Sequence, residues 1–239
     1  VGMGVTRFAV GDRVLGMPWF PRQAGCYAEF VTAPSRHFAH TPAELSDVEA
    51  AAIPLAGLTA WQALVDIADV QPGQRVLIHA AAGGVGHLAV QIALSRGAHV
   101  IGTASSAKHR MLGGLGLHEA VNYRGTAFEH VVEPVDVVLD LIGGDVSRRS
   151  LEVLKPTGIM VSLPSNSAAE AIAEGERRGL RATGMIVEPD GDGLEELMDL
   201  VRARRLRVLV EETFTLERVA EAHRLGERGA TTGKLVLTV

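Results

Sequence analysis

One stretch limits what this chain can fold into more than any other. It runs Arg75-Val76-Leu77-Ile78-His79-Ala80-Ala81-Ala82-Gly83-Gly84-Val85-Gly86 and continues without a break into His87-Leu88-Ala89-Val90-Gln91-Ile92-Ala93. The short apolar run 76–78 is of the kind buried on both faces of a parallel sheet. Val85, Leu88, Ala89 and Ile92 recur at helical spacing. Strand, glycine turn and helix therefore follow in the order of a dinucleotide site. There the glycines permit a sharp turn, keep side chains off a pyrophosphate and let the helix pack close to the strand. The helix start adds free N–H groups and the positive end of its dipole. Read as G-x-G-x-x-G, the pattern is imperfect, because Ala81 stands at the first glycine position ahead of Gly83 and Gly86. A glycine turn that only packs a helix onto a sheet would leave the same trace.

The flanking segments place this stretch in a larger pattern. Downstream, the sequence predicts a strand at 98–103, a helix from about Ala107 and a short strand near Ala120–Asn122. A strand at Val135–Asp140, a helix near 145–154 and a strand at 158–163 follow. Such alternation implies right-handed crossovers and a doubly wound parallel sheet, an α/β fold of Rossmann type. Residues 180–187 suggest one more strand, and 193–204 a helix with Leu194, Leu197, Met198 and Val201 on one face. An extended piece at 207–215, a helix at 216–228 and a strand at Lys234–Val239 complete the chain. Upstream, Ser46 with Glu49 three residues later has the form of a capping box. Thr59 to Ala68 reads as a helix closed by Pro72-Gly73, and its apolar face is Trp61, Leu64, Val65 and Ala68. Residues 1–14 hold short β-like pieces broken by glycines, and 25–33 are another strand candidate.

Composition excludes several classes. With 239 residues and 47% hydrophobic content, the chain can bury one large core or two modest ones. A net charge of −5 with mixed signs and no Lys/Arg tail argues against nucleic acid and for a small-molecule partner. Cys26 is the only cysteine, so the chain cannot form an internal disulfide or a multi-cysteine metal site, and a reducing cytoplasm fits. No apolar stretch approaches the ~20 residues needed to span a bilayer, and no basic flank with an apolar block marks a signal peptide.

Several separated motifs together resemble a known family, the zinc-independent medium-chain dehydrogenase/reductases, in their NADPH:quinone oxidoreductase-like branch. They are Val10-Gly11-Asp12-Arg13-Val14, Gly25-x-Tyr27-Ala28-Glu29, Leu55-Ala56-Gly57-Leu58-Thr59-Ala60-Trp61, His79-Ala80-Ala81-Ala82-Gly83-Gly84-Val85-Gly86, Asp140-x-x-Gly143-Gly144 and Gly233-Lys234-Leu235-Val236-Leu237. In that family Ala-x-Gly-Gly-x-Gly is a usual phosphate turn, which removes the objection to Ala81. The resemblance implies three parts. Residues 1–53 would be the later part of a GroES-like β-barrel domain, incomplete because an earlier part would precede Val1. Residues 54–206 would be the nucleotide-binding domain, and 207–239 a return to the catalytic domain. A homodimer is expected on the same ground.

Cofactor choice follows from chemistry. NAD-specific sites place Asp or Glu at the end of the second strand, where it bonds the ribose 2′-OH. Here that place reads Gly102-Thr103-Ala104-Ser105-Ser106-Ala107-Lys108-His109-Arg110, without a carboxylate. Hydroxyls at Ser105 and Ser106 with a cation at Lys108 suit a 2′-phosphate instead. The expected cofactor is NADP(H). By resemblance, Tyr123 also touches that phosphate and Thr59 approaches the nicotinamide side. Leu141 and Ile142, then Ser162, Leu163 and Pro164, follow strands at the carboxyl edge where open α/β sheets bind ligands. The cofactor-binding set is therefore Thr59, Ala82, Gly83, Gly84, Val85, Gly86, Thr103, Ser105, Lys108, Tyr123, Leu141, Ile142, Ser162 and Leu163.

Zinc is not expected. A catalytic site needs three protein ligands, and Leu55 stands where zinc-binding members of the family carry a cysteine. His79, His87, His99, His109 and His118 lack ligand spacing, and His79 reads as a packing residue at a strand end. Cys26 and Tyr27 are the nearest proton-donor candidates, but they read better as a small apolar thiol and a barrel aromatic. The catalytic residue is left unassigned. The implied activity is NADPH-dependent hydride transfer to a quinone or an α,β-unsaturated carbonyl. Alternatives are an enoyl reductase of polyketide or lipid synthesis and a catalytically silent NADPH-binding or structural protein.

Overall fold

The computed structural model describes residues 1–163 and 165–239, with side chains for all of these except 165–167. Pro164, expected beside the cofactor, lies outside the described residues. Along the chain come β1 (Val14–Gly16), β2 (Phe38–His40), α1 (Asp47–Ala52) and α2 (Pro54–Trp61). The central run is β3 (Arg75–Ile78), α3 (Gly86–Ser95), β4 (His99–Ala104), α4 (His109–Gly114), β5 (Glu119–Asn122) and β6 (Val135–Asp140). It continues with α5 (Asp145–Ser150), β7 (Leu154–Ser162), α6 (Ser165–Arg177) and β8 (Arg181–Gly184). The last elements are α7 (Gly191–Arg202), β9 (Val210–Thr215), α8 (Val219–Glu227) and β10 (Lys234–Thr238). Two compact units result, Val1–Thr59 with Val187–Val239, and Ala60–Ile186.

The first unit carries two small sheets. β1 pairs antiparallel with β2, Leu15 opposite Ala39, and β10 pairs parallel with β9. α1 starts as the capping box implies. The Glu49 amide donates to Ser46 Oγ at 3.3 Å, and the Ser46 amide donates to Glu49 Oε2 at 2.9 Å. Arg13 ties this start to the segment before β1's end, donating from Nη2 to the Leu45 carbonyl at 2.9 Å and to Asp47 Oδ1 at 2.5 Å. α7 buries Leu194, Leu197, Met198 and Val201, the face its periodicity predicted. A β-carbon on Gly57 would stand 2.9 Å from Leu197 Cδ1, so the glycine of α2 lets that leucine approach. Residues 25–33 are not a strand. They are irregular and mostly exposed, and among the described residues no strand pairs with them, so alternation alone finds no ladder. Residues 1–13 likewise form no strand, and β1 begins only after them, at Val14.

The second unit is a six-stranded parallel sheet in the order β5-β4-β3-β6-β7-β8. Registers run Ile78↔Gly102, Ile78↔Leu139, Ala104↔Asn122, Asp140↔Ser162 and Ser162↔Gly184, so the strand ends form one continuous carboxyl edge. β4 and β5 build outward on one side of β3, and β6, β7 and β8 on the other. The order reverses at β3, the switch point where open α/β sheets form a ligand crevice. Leu77, Ile101, Val138 and Met160 are fully buried in the sheet, and Phe128, Val132 and Leu151 pack on them. α3 is buried from Gly86 to Ala93.

Three boundaries differ from expectation for physical reasons. α2 begins at Pro54 rather than Thr59, and its continuation, Gln62–Ile67, is wound as a π-helix in which the Ala68 amide donates to the Ala63 carbonyl, five residues back. The helix expected to 154 ends at Ser150, because β7 already starts at Leu154. Pairing there jumps from Val135↔Leu154 to Val137↔Ile159, and the extra residues around Pro156 hide the strand's start from a pattern reading. α6 was not expected. No helix of the described residues is long and apolar enough to cross a membrane.

Candidate nucleotide-binding site

The glycine turn sits at the head of α3. The Gly83 amide donates to the Ala80 carbonyl at 2.8 Å, and the His87 amide to the Gly83 carbonyl at 3.1 Å. His87, itself buried, places Nδ1 2.8 Å from the same Gly83 carbonyl. The helix start at Val85 has no side-chain cap, and the first N–H groups of a helix have no intrahelical acceptor. Gly84, Val85 and Gly86 therefore offer open donors at the positive end of a ten-residue helix. A β-carbon on Gly86 would fall 2.3 Å from the Ala80 oxygen and 2.8 Å from Ala81 Cα, so only glycine lets the turn close onto the helix. Ala80 takes a left-handed φ of 47° to make that closure. A cradle this tight, with an uncapped helix start and no side chain at Gly83, Gly84 or Gly86, fits a pyrophosphate.

Two strand ends meet beside it. Ala104 pairs with Asn122, so Ser105 and Tyr123 are the next residues out on neighbouring strands. Ser105 begins a short turn in which the Lys108 amide donates to its carbonyl at 2.9 Å, and its side chain makes no cap. Tyr123 is exposed and lies 5.8 Å, ring centre to Arg124 Cζ, from a guanidinium. Arg124, which no motif in the sequence marks, adds a cation to this corner.

Thr103 and Ser162 face the other way. Thr103 is buried; its Oγ1 lies 3.1 Å from His79 Nδ1 and 3.3 Å from the Ala80 amide that donates to it, while its carbonyl accepts from the Ala81 amide at 3.0 Å. It braces the glycine turn from behind. His79 Nε2 lies 2.9 Å from Ser150 Oγ of α5, so the imidazole links β3, β4 and α5. Burial pushes the His79 pKa down to about 4, against the pull of the nearby Asp140 carboxylate. Ser162 Oγ donates to Asp140 Oδ2 at 2.7 Å. Leu141 and Leu163 are half-buried and Ile142 half-exposed at the edge beyond. A pattern of apolar and polar residues alone could not separate these braces from residues that face a ligand.

Thr59 belongs to the first unit, where its hydroxyl donates to the Leu55 carbonyl at 2.6 Å inside α2. It does not cap a following helix. Cys26 is exposed rather than packed, and Tyr27 Oη lies 2.9 Å from His223 Nε2 beside a cavity of about 430 Å³. Among the described residues no cluster of three His, Cys, Asp or Glu side chains is placed to hold a metal ion.

Sheet order, switch point and glycine turn define an α/β protein of Rossmann type. A family model described as zinc-binding dehydrogenase matches residues 115–237. The quinone oxidoreductase structure from Coxiella burnetii superposes with a TM-score of 0.94 at 41% identity, over 100% of this chain and 75% of that one. The 2-haloacrylate reductase of a Burkholderia species is 36% identical over 99% of this chain and 77% of its own length. Polyketide synthase GfsB of Streptomyces halstedii is 39% identical over 100% of this chain, which spans only 4% of that protein. The chain belongs to the medium-chain dehydrogenase/reductase family, in its quinone oxidoreductase-like branch.

Proposed function

We propose that this oxidoreductase uses NADPH, without zinc, to reduce quinones or activated carbon–carbon double bonds. The observation that carries the NADPH reading is the corner formed by β4 and β5. Ser105 and Tyr123 follow the paired ends of β4 and β5, the Lys108 amide bonds the Ser105 carbonyl, Arg124 stands beside Tyr123, and residues 102–110 hold no carboxylate. A 2′-phosphate would meet hydroxyls and cations there, the charge-assisted partners it needs. Leu55, in place of a metal-binding cysteine, supports the zinc-free reading.

Bound NADPH would supply the hydride. The protein's part is then positioning. The open N–H groups of Gly84, Val85 and Gly86 would hold the pyrophosphate, while Ala82 and Gly83 shape the turn. Leu141, Ile142 and Leu163 would give the carboxyl edge an apolar wall that keeps water from the transfer. By family likeness Thr59 would approach the nicotinamide side. No side chain is assigned as an obligatory proton donor. A homodimer and a cytoplasmic location go with this reading.

A second reading rests on the match to the polyketide synthase along the whole chain. In it the acceptor is an enoyl thioester. The test is NADPH oxidation against a panel of small quinones, enones and enoyl thioesters. One-to-one NADPH loss with a quinone or enone supports the first reading. Turnover confined to thioesters supports the second. NADPH binding without oxidation by any acceptor overturns both and leaves a silent nucleotide-binding protein.

A further inference from the structure

Asp140, the last residue of β6, is fully buried, and among the described residues its carboxylate forms no ion pair. Four donors satisfy it instead. Oδ1 accepts from the Ile142 amide at 2.9 Å and the Gly143 amide at 3.0 Å. Oδ2 accepts from Ser162 Oγ at 2.7 Å and from Ser147 Oγ. Two successive amides thus aim at one oxygen, and Gly143, with φ of 85°, turns the chain immediately after them. Burial pushes the Asp140 pKa up, but the bonds from Ser147, Gly143, Ser162 and Ile142 together hold it below the usual carboxylate range. Those donors come from the loop after β6, from α5 and from the end of β7. One anion therefore fixes three elements at the carboxyl edge.

That loop adjoins the glycine turn. The His79 amide donates to the Leu139 carbonyl at 3.1 Å, one residue before Asp140. A dinucleotide lies across the switch point, so with its adenosine half at the ends of β4 and β5, its other half falls toward β6 and β7. We propose that Asp140 is a positioning residue for the nicotinamide half of the cofactor, holding residues 141–143 in the shape that receives it. This rests on the NADPH reading above. A carboxylate can accept from all four donors; the NH₂ group of an asparagine would face donors it cannot satisfy.

The test compares two ligands on the full chain by titration calorimetry. NADPH spans both halves of the site, whereas adenosine 2′,5′-bisphosphate fills only the adenosine half. Asp140→Asn should weaken NADPH by about tenfold or more, the effect of losing charge-assisted bonds, and the bisphosphate by no more than about twofold. Ser162→Ala, which removes one bond and leaves the charge, should weaken NADPH alone by a smaller factor and serves if Asp140→Asn does not fold. Equal losses for the two ligands in these variants, as general destabilisation would give, overturn the proposal, and so does an unchanged NADPH affinity. If the unaltered chain binds neither ligand, the cofactor reading itself fails and the proposal with it.

Discussion

Ala81 and Gly102 share a single space. A β-carbon added to Gly102 would stand 2.7 Å from the Ala81 methyl and 3.1 Å from Leu117 Cδ2. The residue that makes the glycine fingerprint imperfect is thus accommodated by a missing side chain on the neighbouring strand. Gly102→Ala should cost about 1–3 kcal/mol, the usual effect of overpacking. In an Ala81→Gly background the same change should cost less, with a coupling of about 1 kcal/mol. Urea unfolding of the four proteins in this cycle measures it, and strictly additive losses would show that the two residues do not share the space.

Gly86 faces a harder limit, because the atoms a methyl would meet there are backbone. Gly86→Ala should open the turn and weaken NADPH by about tenfold or more, while the far-ultraviolet circular dichroism stays native. An unchanged dissociation constant would mean that the turn does not carry the phosphates.

The parts of the fold readable from sequence were those in which local signals agree. β6 is expected at 135–140 and occupies those residues, since Val135, Val137, Val138 and Leu139 are the apolar, mostly β-branched residues that a strand buried in a parallel sheet carries. Ser46 and Glu49 announced α1 because a capping box is local chemistry. The misses are places where partners decide. Residues 25–33 alternate like a strand but find no ladder among the described residues, and Pro156 and Gly158 mask a strand that tertiary pairing imposes. Around the proposed site, the order of strand, glycine turn, helix and next strand is legible in the sequence. The sequence could not reveal that Thr103 and Ser162 turn inward to His79 and Asp140, because a hydroxyl has the same letter whichever way it points.

His79 gives the fold a pH dependence of definite sign. Its imidazole is neutral and buried, with a folded pKa of about 4 against 6.5 for the ordinary group. Between those values the unfolded chain binds more protons than the folded one, so stability rises with pH. The contribution is complete above pH 6.5 and is lost as pH falls toward 4, roughly 3 kcal/mol in all at 1.36 kcal/mol per unit. Urea unfolding at several values from pH 7.5 to 4.5 should show this slope. His79→Gln, which cannot titrate, should show a shallower one; parallel curves would remove His79 as its source.

The proposed function places the 2′-phosphate of NADPH at the ends of β4 and β5. It is tested most directly by calorimetric titration of the unaltered chain and of Lys108→Ala with NADPH and with NADH. The unaltered chain should bind NADPH at least about tenfold more tightly than NADH, and Lys108→Ala should lose NADPH affinity by about tenfold while NADH changes little. Equal affinity for the two nucleotides, or equal losses in the variant, would contradict it.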